Sequence, residues 1–123
     1  MTPKEFFKND RFATETGIEL IEIKKGYGKA QLIVGPQHLN AGNKTQGGAI
    51  FTLADLELAA AANSHGTLAL SLTSNITILR GSGLGDTLIV EARERYTGKR
   101  NGHYQVDVTN QHGVLIATFE ASV

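Results

Sequence analysis

The hydrophobic pattern predicts one long helix near the middle of the chain. The stretch QGGAIFTLADLELAAAAN, residues 46–63, is rich in alanine and leucine and contains no proline. Alanine and leucine are the strongest helix formers, and His65-Gly66 supplies a stop just beyond the apolar run. We therefore predict a helix over residues 46–64. A second, shorter helix carrying Phe6 and Phe7 is predicted from the capping box TPKE, and it ends before Gly17.

The remaining apolar positions recur with a period of two, which is typical of strands. Residues 18–24 and 29–34 flank the glycine-containing turn KKGYG. Three further strands are predicted over residues 87–96, 103–109 and 114–123, joined by the turns GKRNG and NQHG. In LALSLTSNITIL the apolar face comprises Leu68, Leu70, Leu72, Ile76 and Ile78.

The order of these elements predicts an α+β fold, in which one antiparallel sheet of five to six strands covers one long helix. The last four strands follow one another without a helix, so we expect them to pair in hairpin sequence. Their second face carries polar residues such as Thr73 and Asn75. We expect that face to meet solvent or a partner subunit.

Composition limits the classes of function. The 123 residues carry no net charge and no cysteine, so neither a basic nucleic-acid-binding face nor a thiolate site is expected. No apolar run approaches the ~20 residues that span a membrane, and the N-terminus lacks the apolar stretch of a signal peptide. We expect one domain over residues 1–123, located in the cytoplasm, with no nucleic-acid or membrane partner.

The long helix carries two carboxylates whose spacing is informative. Asp55 and Glu57 are two residues apart, which places them on nearly opposite sides of a helix. Both therefore cannot belong to one solvent-facing stripe. We expect Asp55 to face a buried region or an interface, and Glu57 to face solvent or a subunit contact.

The start of this helix is a second candidate for chemistry. The amides of Gly47 and Gly48 would lie unpaired at the positive end of the helix dipole, where a carbonyl oxygen or an oxyanion is stabilised. The alternative interpretation is that the glycines only permit a tight turn or close packing.

The stretch HLNAGNKTQGGAIFTLAD, residues 38–55, resembles the signature of hotdog-fold acyl-CoA thioesterases of the phenylacetate-degradation (PaaI-like) type. NITILRGSGLGDTLIVEA resembles the third and fourth strands of the same family, so the resemblance runs from about residue 17 onward. It implies a hotdog fold, in which a curved sheet wraps a central helix, and the hydrolysis of an acyl-CoA to a carboxylate and CoA.

The resemblance also implies roles for particular residues. Asp55 matches the catalytic carboxylate, acting as general base or nucleophile, and the Gly47 amide matches the group that polarises the thioester carbonyl. Asn40 matches a polar group that places the water or the carbonyl. Ser71 matches a hydroxyl that orients water in some members, and Thr73 is the neighbouring alternative.

One position departs from the family pattern. Gln46 stands where the family usually has histidine before the glycine pair, and glutamine cannot carry a proton at neutral pH. Gln46 and Gly48 are predicted to contact the substrate. His38 also matches the motif, and we expect it to hold the loop rather than take part in chemistry.

Helix geometry predicts that a site is shared between two chains. Gly47 and Asp55 are eight residues apart, which is roughly 12 Å along a helix, whereas a water attacking a carbonyl lies within about 3–3.5 Å of the carbon. Two antiparallel helices across a two-fold axis would bring Gly47 of one chain to Asp55 of the other. We therefore predict a homodimer, and the resemblance implies a further homotetramer.

The phosphates of CoA would favour cations at the mouth of the site. The candidates are Arg80, Lys99 and Arg100, for each of which an ordinary solvated loop charge is the competing interpretation. The four histidines are scattered, so no metal site is predicted, and no cofactor is required.

Three alternatives remain open. Gln46 keeps open a non-catalytic protein that binds acyl-CoA or another small ligand. A hotdog dehydratase would need a histidine beside the carboxylate, and His65 lies ten residues from Asp55, too far along one helix. The third alternative is a purely structural domain, and the presence of Asn40, Gly47 and Asp55 together argues against it. The acyl group is left open between aryl-acetyl and medium or long fatty acyl chains.

Overall fold

The computed structural model describes residues 2–66 and 68–123. Its helices are α1 (Pro3–Phe7), α2 (Arg11–Thr16) and α3 (Gly47–Ala62), and its strands are β1 (Glu19–Lys24), β2 (Tyr27–Ile33), β3 (Thr73–Ile78), β4 (Thr87–Thr97), β5 (Gly102–Thr109) and β6 (Leu115–Ser122). Short 3-10 turns cover Pro36–His38 and Asn63–His65, the second of which extends α3 to the stop at Gly66. The predicted long helix is confirmed, with its ends displaced by one or two residues.

All six strands form one antiparallel sheet in the order β1-β2-β4-β5-β6-β3, and α3 packs on one face of it. The predicted α+β architecture is confirmed. The prediction that the last four strands pair in hairpin sequence is wrong, because β3 pairs with β6 at the edge of the sheet. Residues 79–86 separate β3 from β4, more than the two to five residues of a tight hairpin, so the chain can cross to the other side of the sheet.

The core lies between α3 and the inner face of the sheet. The helix contributes small side chains at Ala54, Ala60 and Ala61, which are fully buried, as well as Leu53 and Leu58. Small residues let the helix lie close to the strands, because no long side chain holds the two backbones apart. On the sheet side the largest fully buried side chains are those of Tyr104, Phe119, Leu32, Leu88 and Ile116.

The prediction that Glu57 faces solvent or a subunit contact is wrong, because its side chain is 0% exposed. It points at β2, where a side-chain carbon on Gly28 would overlap its Oε1 and lie 2.9 Å from its Cδ. Glycine at position 28 therefore provides the space that the carboxyl occupies. The spacing argument was right that one of the two acids is buried within the fold, but that acid is Glu57.

The prediction of a continuous apolar strand face from Leu68 to Ile78 is also wrong. The strand begins only at Thr73, and Leu68, Leu70 and Leu72 are 74%, 71% and 69% exposed. Alternation shows that side chains share a face, but it does not show what covers that face. The α-helix ends at Ala62, and only Ile76 of this group packs against the core.

The N-terminal segment forms two short helices where one was predicted. Thr2 caps α1 by accepting a hydrogen bond from the Glu5 amide, as the capping box predicts. Asp10 starts a second helix by accepting from the Ala13 amide, and Gly17, at φ 95°, ends it. Within residues 2–66 and 68–123, no helix is long and apolar enough to cross a membrane.

Candidate active site

The loop before α3 is held by a buried histidine. Nδ1 of His38 accepts a hydrogen bond from the Gly35 amide at 2.9 Å, and Nε2 donates to the Thr16 carbonyl at 2.5 Å. The His38 carbonyl in turn accepts from the Gln46 amide at 2.7 Å. These bonds tie α2, the loop and the first turn of α3 together. The prediction that His38 fixes the loop is confirmed.

Asn40 shapes the next turn of the same loop. Its Oδ1 accepts hydrogen bonds from the amides of Gly42 and Lys44, at 2.9 and 3.1 Å. The side chain is exposed, and its Nδ2 group has no acceptor among the described residues. Asn40 therefore has one half engaged in the loop and the other half able to donate to a ligand.

The first amides of α3 are available for an acceptor outside the chain. The helix begins at Gly47, Gln46 makes no side-chain cap, and the amides of Ala49 and Ile50 already bond to the Gln46 carbonyl. In the described part of the chain the amides of Gly47 and Gly48 have no acceptor. Two unpaired donors at the positive end of a helix are suited to a carbonyl oxygen that gains negative charge.

Glycine at position 47 also has a packing reason. A side-chain carbon there would lie 3.3 Å from Cδ1 of Ile78, the last residue of β3. A hydroxyl pair, Ser82 Oγ donating to Thr45 Oγ1 at 2.7 Å, joins the segment after β3 to the residue that precedes the helix entrance. The sequence could not reveal this contact, because β3 and the helix start meet only through the tertiary fold.

Asp55 lies about two turns further along α3 than Gly47 and is half-buried. Burial raises the pKa of its carboxyl above the usual value of 3.8, and the negative charge of Asp10 raises it further. A carboxylate with a raised pKa is a stronger base than one in water. The sequence carried no signal for Asp10, which reaches this position through the turn between α1 and α2.

A cavity of about 390 Å³ opens beside the start of α3. Gln46, Gly48 and Thr52 line it from the helix, and Phe12 and Thr16 line it from α2. Gly48, Thr52 and Asp55 follow one helical face at spacings of four and three residues. The two predicted substrate contacts, Gln46 and Gly48, therefore lie at an open cavity on the same side of α3 as Asp55.

The predicted hydroxyl positions lie outside this cavity within one chain. Ser71 is exposed in the segment before β3, and Thr73 is the first residue of that strand, opposite Ser122. The Leu72 amide donates to the Ser122 carbonyl at 2.7 Å, so the backbone of this segment already follows β6. Both hydroxyls are at the exposed sheet edge, where a second chain could approach.

The three candidate cations do not come together in one chain. Arg80 follows β3 close to the helix start, where Gly81 lies near the side chain of Lys44. Lys99 and Arg100 line a cavity of about 440 Å³ beside Ala62, at the other end of α3. Because α3 is about 24 Å long at 1.5 Å for each of its sixteen residues, the two groups are far apart.

Near the end of α3, His65 has a partner, Glu94, that sequence reasoning did not find. His65 Nε2 and Glu94 Oε1 are 3.0 Å apart, and both side chains are largely covered. His65 shares the larger cavity with Lys99 and Arg100. Residues 65 and 94 are distant in the chain, so only the pairing of β4 beneath the helix brings them together. Among the described residues, no three histidine or acidic side chains are grouped as metal ligands.

One antiparallel sheet packed against one long helix is the arrangement found in hotdog-fold proteins. The chain belongs to the Thioesterase superfamily, whose family model matches residues 45–117. The matched segment contains all of α3, with Gly47 and Asp55, whereas Asn40 and the α2 residues that line the cavity lie before it.

Proteins of known name agree with this assignment. A protein of Archaeoglobus fulgidus described as an esterase is 39% identical over 117 residues, covering 95% of this chain and 76% of that protein. The acyl-coenzyme A thioesterase PaaI of Escherichia coli is 35% identical over 113 residues, covering 92% of this chain and 81% of that protein.

Two solved structures share the fold and enough sequence to be informative. The PaaI protein of E. coli, from the phenylacetic acid degradation operon, has a TM-score of 0.88 at 34% identity, with 95% of this chain and 89% of that chain covered. A Streptococcus mutans protein bound to acetyl CoA has a TM-score of 0.83 at 30% identity, with 86% of each chain covered.

Proposed function

We propose that the chain hydrolyses acyl-CoA thioesters, with Asp55 as the catalytic carboxylate and the Gly47 amide as the group that polarises the carbonyl. The observation that carries this proposal is the pairing of two open helix-start amides with a carboxylate of raised pKa on the same helix. The names of the E. coli and A. fulgidus relatives and the acetyl CoA of the S. mutans structure support it.

In the proposed reaction, Asp55 takes a proton from water as the water oxygen bonds to the thioester carbon. The carbonyl oxygen gains negative charge, which the Gly47 amide stabilises. The bond between carbon and sulfur then breaks, the thiolate of CoA leaves and takes up the proton, and the acyl group departs as a carboxylic acid that ionises. Direct attack by Asp55 would give a mixed anhydride that water opens to the same products.

We propose that the site is completed by a second copy of the chain. In one continuous helix, Gly47 and Asp55 are separated by roughly 12 Å, so they cannot both contact one carbonyl group. At the edge strand β3, the exposed leucines 68, 70 and 72 and the hydroxyls of Ser71 and Thr73 would face the partner. We propose a homodimer on this edge, and a homotetramer as a dimer of dimers.

The remaining predicted residues receive proposed roles from their positions. Asn40 would donate from Nδ2 to the carbonyl or the water, because its Oδ1 is engaged in the loop. Gln46 would contact the substrate from the rim of the cavity at the helix start. At each proposed site, Arg80 would lie near the helix start that supplies the Gly47 amide. Lys99 and Arg100 would come from the other chain of the dimer and bind the CoA phosphates.

The first experiment measures release of free thiol from acetyl-, medium-chain, long-chain, phenylacetyl- and benzoyl-CoA. Wild type, Asp55→Asn and Asp107→Asn are compared, since Asp107 is an exposed aspartate on the outer face of the sheet. We expect turnover that depends on Asp55 and not on Asp107. Retained turnover in Asp55→Asn rejects the catalytic assignment, and binding of acyl-CoA without turnover in wild type supports the non-catalytic alternative.

The shared site has a separate test. Proline is favoured at the first position of a helix, so Gly47→Pro removes the amide donor where a helix can still begin, and the extended Gln46 (φ −61°, ψ 132°) can precede a proline. The end of the Ile78 side chain, 3.3 Å from the added carbon, must shift, so the unfolding midpoint of this variant is measured as a control for its fold. Mixed dimers of Asp55→Asn and Gly47→Pro chains contain one site in which both groups are intact. We expect them to recover activity that neither variant has alone. No recovery after demonstrated subunit exchange contradicts a site between chains.

A further inference from the structure

A second carboxyl group on α3 is buried without a partner. Glu57 is 0% exposed, and neither of its oxygens has a hydrogen-bond partner among the described residues. Isolated ionised carboxylates are rarely found in such positions, because removing a charge from water is very unfavourable unless a cation or several donors replace the water. The proposed reaction makes no use of this group.

The space for this carboxyl is provided by the facing strand. A side-chain carbon on Gly28 would overlap Oε1 of Glu57 and would lie 3.4 Å from its Cγ. Gly28 is opposite Ile23 on β1 and Ala92 on β4, so apolar side chains surround the contact. The carboxyl group is therefore enclosed between α3 and β2.

Among residues 2–66 and 68–123, no opposite charge faces Glu57 from the elements packed around it. On the inner face of the sheet, β2 and β1 contribute Gly28, Ala30 and Ile23, and β5 contributes Val106 beside Ala92 of β4. The titratable groups on that side of the sheet are Glu94 of β4, its partner His65, and Tyr104 of β5, and none of them contributes to the pKa of Glu57. The charged side chains of Lys29, Glu91 and Arg93 lie on the outer face, beyond the sheet. Burial alone accordingly raises the pKa of Glu57 to about 8.

We propose that the packing of α3 on β2 depends on the protonation of Glu57: the protonated carboxyl packs against Gly28, and the ionised carboxylate does not. We call this contact between Glu57 and Gly28 the latch. When the proton leaves, the carboxylate must reach water, and it can do so only if α3 separates from the strand. The latch would make the packing of α3 against β2 sensitive to mildly alkaline pH. If the proposed function holds, the same event would displace Gly47 and Asp55, which are on this helix.

The direction of the effect follows from the two protonation equilibria. In the unfolded chain the Glu57 carboxyl loses its proton near its ordinary pKa of 4.5, whereas in the fold it keeps the proton up to about 8. Below pH 4.5 the Glu57 carboxyl is protonated in both the folded and the unfolded chain, so its ionisation does not favour unfolding. Between the two values the unfolding equilibrium constant rises about tenfold for each pH unit, and above the higher value it rises no further.

The test compares urea unfolding of wild type, Glu57→Gln and Glu94→Gln between pH 5 and 9. Glutamine keeps the shape of the side chain but cannot ionise. Glu94→Gln is the matched control, because Glu94 is also on the helix side of the sheet but is paired with His65. In wild type and Glu94→Gln, which keep the ionisable Glu57, the unfolding constant should rise roughly four-hundredfold between pH 5 and 8, and Glu57→Gln should lose this rise. An unchanged pH dependence in Glu57→Gln overturns the latch.

A measurement on the wild type keeps the test independent of how the variant folds. The side-chain carboxyl carbon of Glu57, followed by NMR, should titrate near pH 8, and a midpoint near 4.5 overturns the proposal. Amide exchange of α3, corrected for the intrinsic rate, should accelerate between pH 7 and 9 more than that of β5. Uniform acceleration of both elements contradicts a local release of the helix. None of these measurements uses turnover, so they fail or succeed separately from the thioesterase proposal.

Discussion

At the scale of the residue, two carboxyl groups on α3 have different surroundings. Asp55 and Glu57 are separated by two positions, yet Asp55 is half-buried beside Asp10 whereas Glu57 is enclosed against Gly28. Burial raises the pKa of both carboxyls, but only Asp55 keeps access to solvent and hence to a substrate. The role available to each acid therefore depends on whether the element packed against it leaves the carboxyl accessible to solvent.

Replacement of the proposed base has a defined expectation. Asp55→Asn keeps the volume and removes the basic oxygen, so turnover should fall roughly a hundredfold to ten-thousandfold, the range that general acid–base groups contribute. Steady-state thiol release checks this loss, and an unchanged unfolding midpoint shows that the fold is retained.

The acidity of Asp55 predicts the acidic limb of the pH profile. A base works only when it is deprotonated, so activity should be lost as pH falls through the pKa of Asp55. Because burial and Asp10 raise that pKa above 3.8, the limb should lie at a higher pH than for a solvated aspartate. Asp10→Asn removes one of the two causes, so it should move the limb towards lower pH in a profile of kcat/KM. An unmoved limb would mean that another group controls it.

Gln46→His tests the position that departs from the family pattern. If the histidine of the family contributes a proton or a positive charge, turnover should increase in this variant. An unchanged rate would mean that Gln46 does not limit the site.

At the scale of the element, contacts between neighbouring backbones decide which side chains fit. Glycine at position 28 is required because the Glu57 carboxyl occupies the place of a side chain, and β2 and α3 approach closely there. Glycine at position 81 has no such reason, since a side-chain carbon there would meet Lys44 only at an ordinary 3.7 Å.

This difference predicts unequal effects of alanine at the two glycines. Gly28→Ala should lower the free energy of unfolding by about 1–3 kcal/mol, the usual effect of overpacking a core, and Gly81→Ala should change it far less. The double variant Gly28→Ala with Glu57→Ala should recover part of the loss, because it removes the clash. Urea unfolding of the four proteins checks the coupling, and additive losses would contradict the contact.

The loop before α3 depends on His38 in a similar way. His38→Ala leaves the Gly35 amide and the Thr16 carbonyl without their partner, and because both are only partly buried each should cost about 1 kcal/mol, the low end of the range for buried groups. The free energy of unfolding should fall accordingly, and His112→Ala, at an exposed turn, is the control. Equal stability of both variants would contradict a structural role for His38.

At the scale of the whole molecule, the exposed edge of the sheet is the feature that one chain leaves incomplete. In the part of the chain that the structure describes, β3 pairs with β6 on one side and with no strand on the other, and Leu68, Leu70 and Leu72 precede it with most of their surface in solvent. Exposed apolar side chains in a contiguous group are typical of an interface.

Association through this edge can be disrupted selectively. Leu70→Asp should produce monomers and abolish turnover together, because it places a charge in the proposed interface. Ile33→Asp places the same charge on the outer face of the sheet, where Ile33 is 62% exposed, and should leave at least a dimer. Analytical ultracentrifugation with parallel activity measurements checks both, and an active monomer would contradict a site shared between chains.

The sequence by itself determined the features that depend on neighbouring residues. The bounds of α3, five of the strands, the Thr2 cap and the turns follow from periodicity, helix propensity and glycine, which act over a few residues. The motif from His38 to Asp55 was sufficient to predict the family and the candidate catalytic groups. Those groups are close along the chain, so no long-range pairing was needed to find them.

Only the tertiary structure decided which distant elements meet. It placed β3 beside β6, enclosed Glu57 against Gly28, brought Asp10 to Asp55 and separated Arg80 from Lys99 and Arg100. Alternation assigns a side chain to one of two faces, and helix spacing assigns it to a side, but neither specifies the neighbour on that side. That neighbour is set by strand order and helix docking, which are properties of the whole fold.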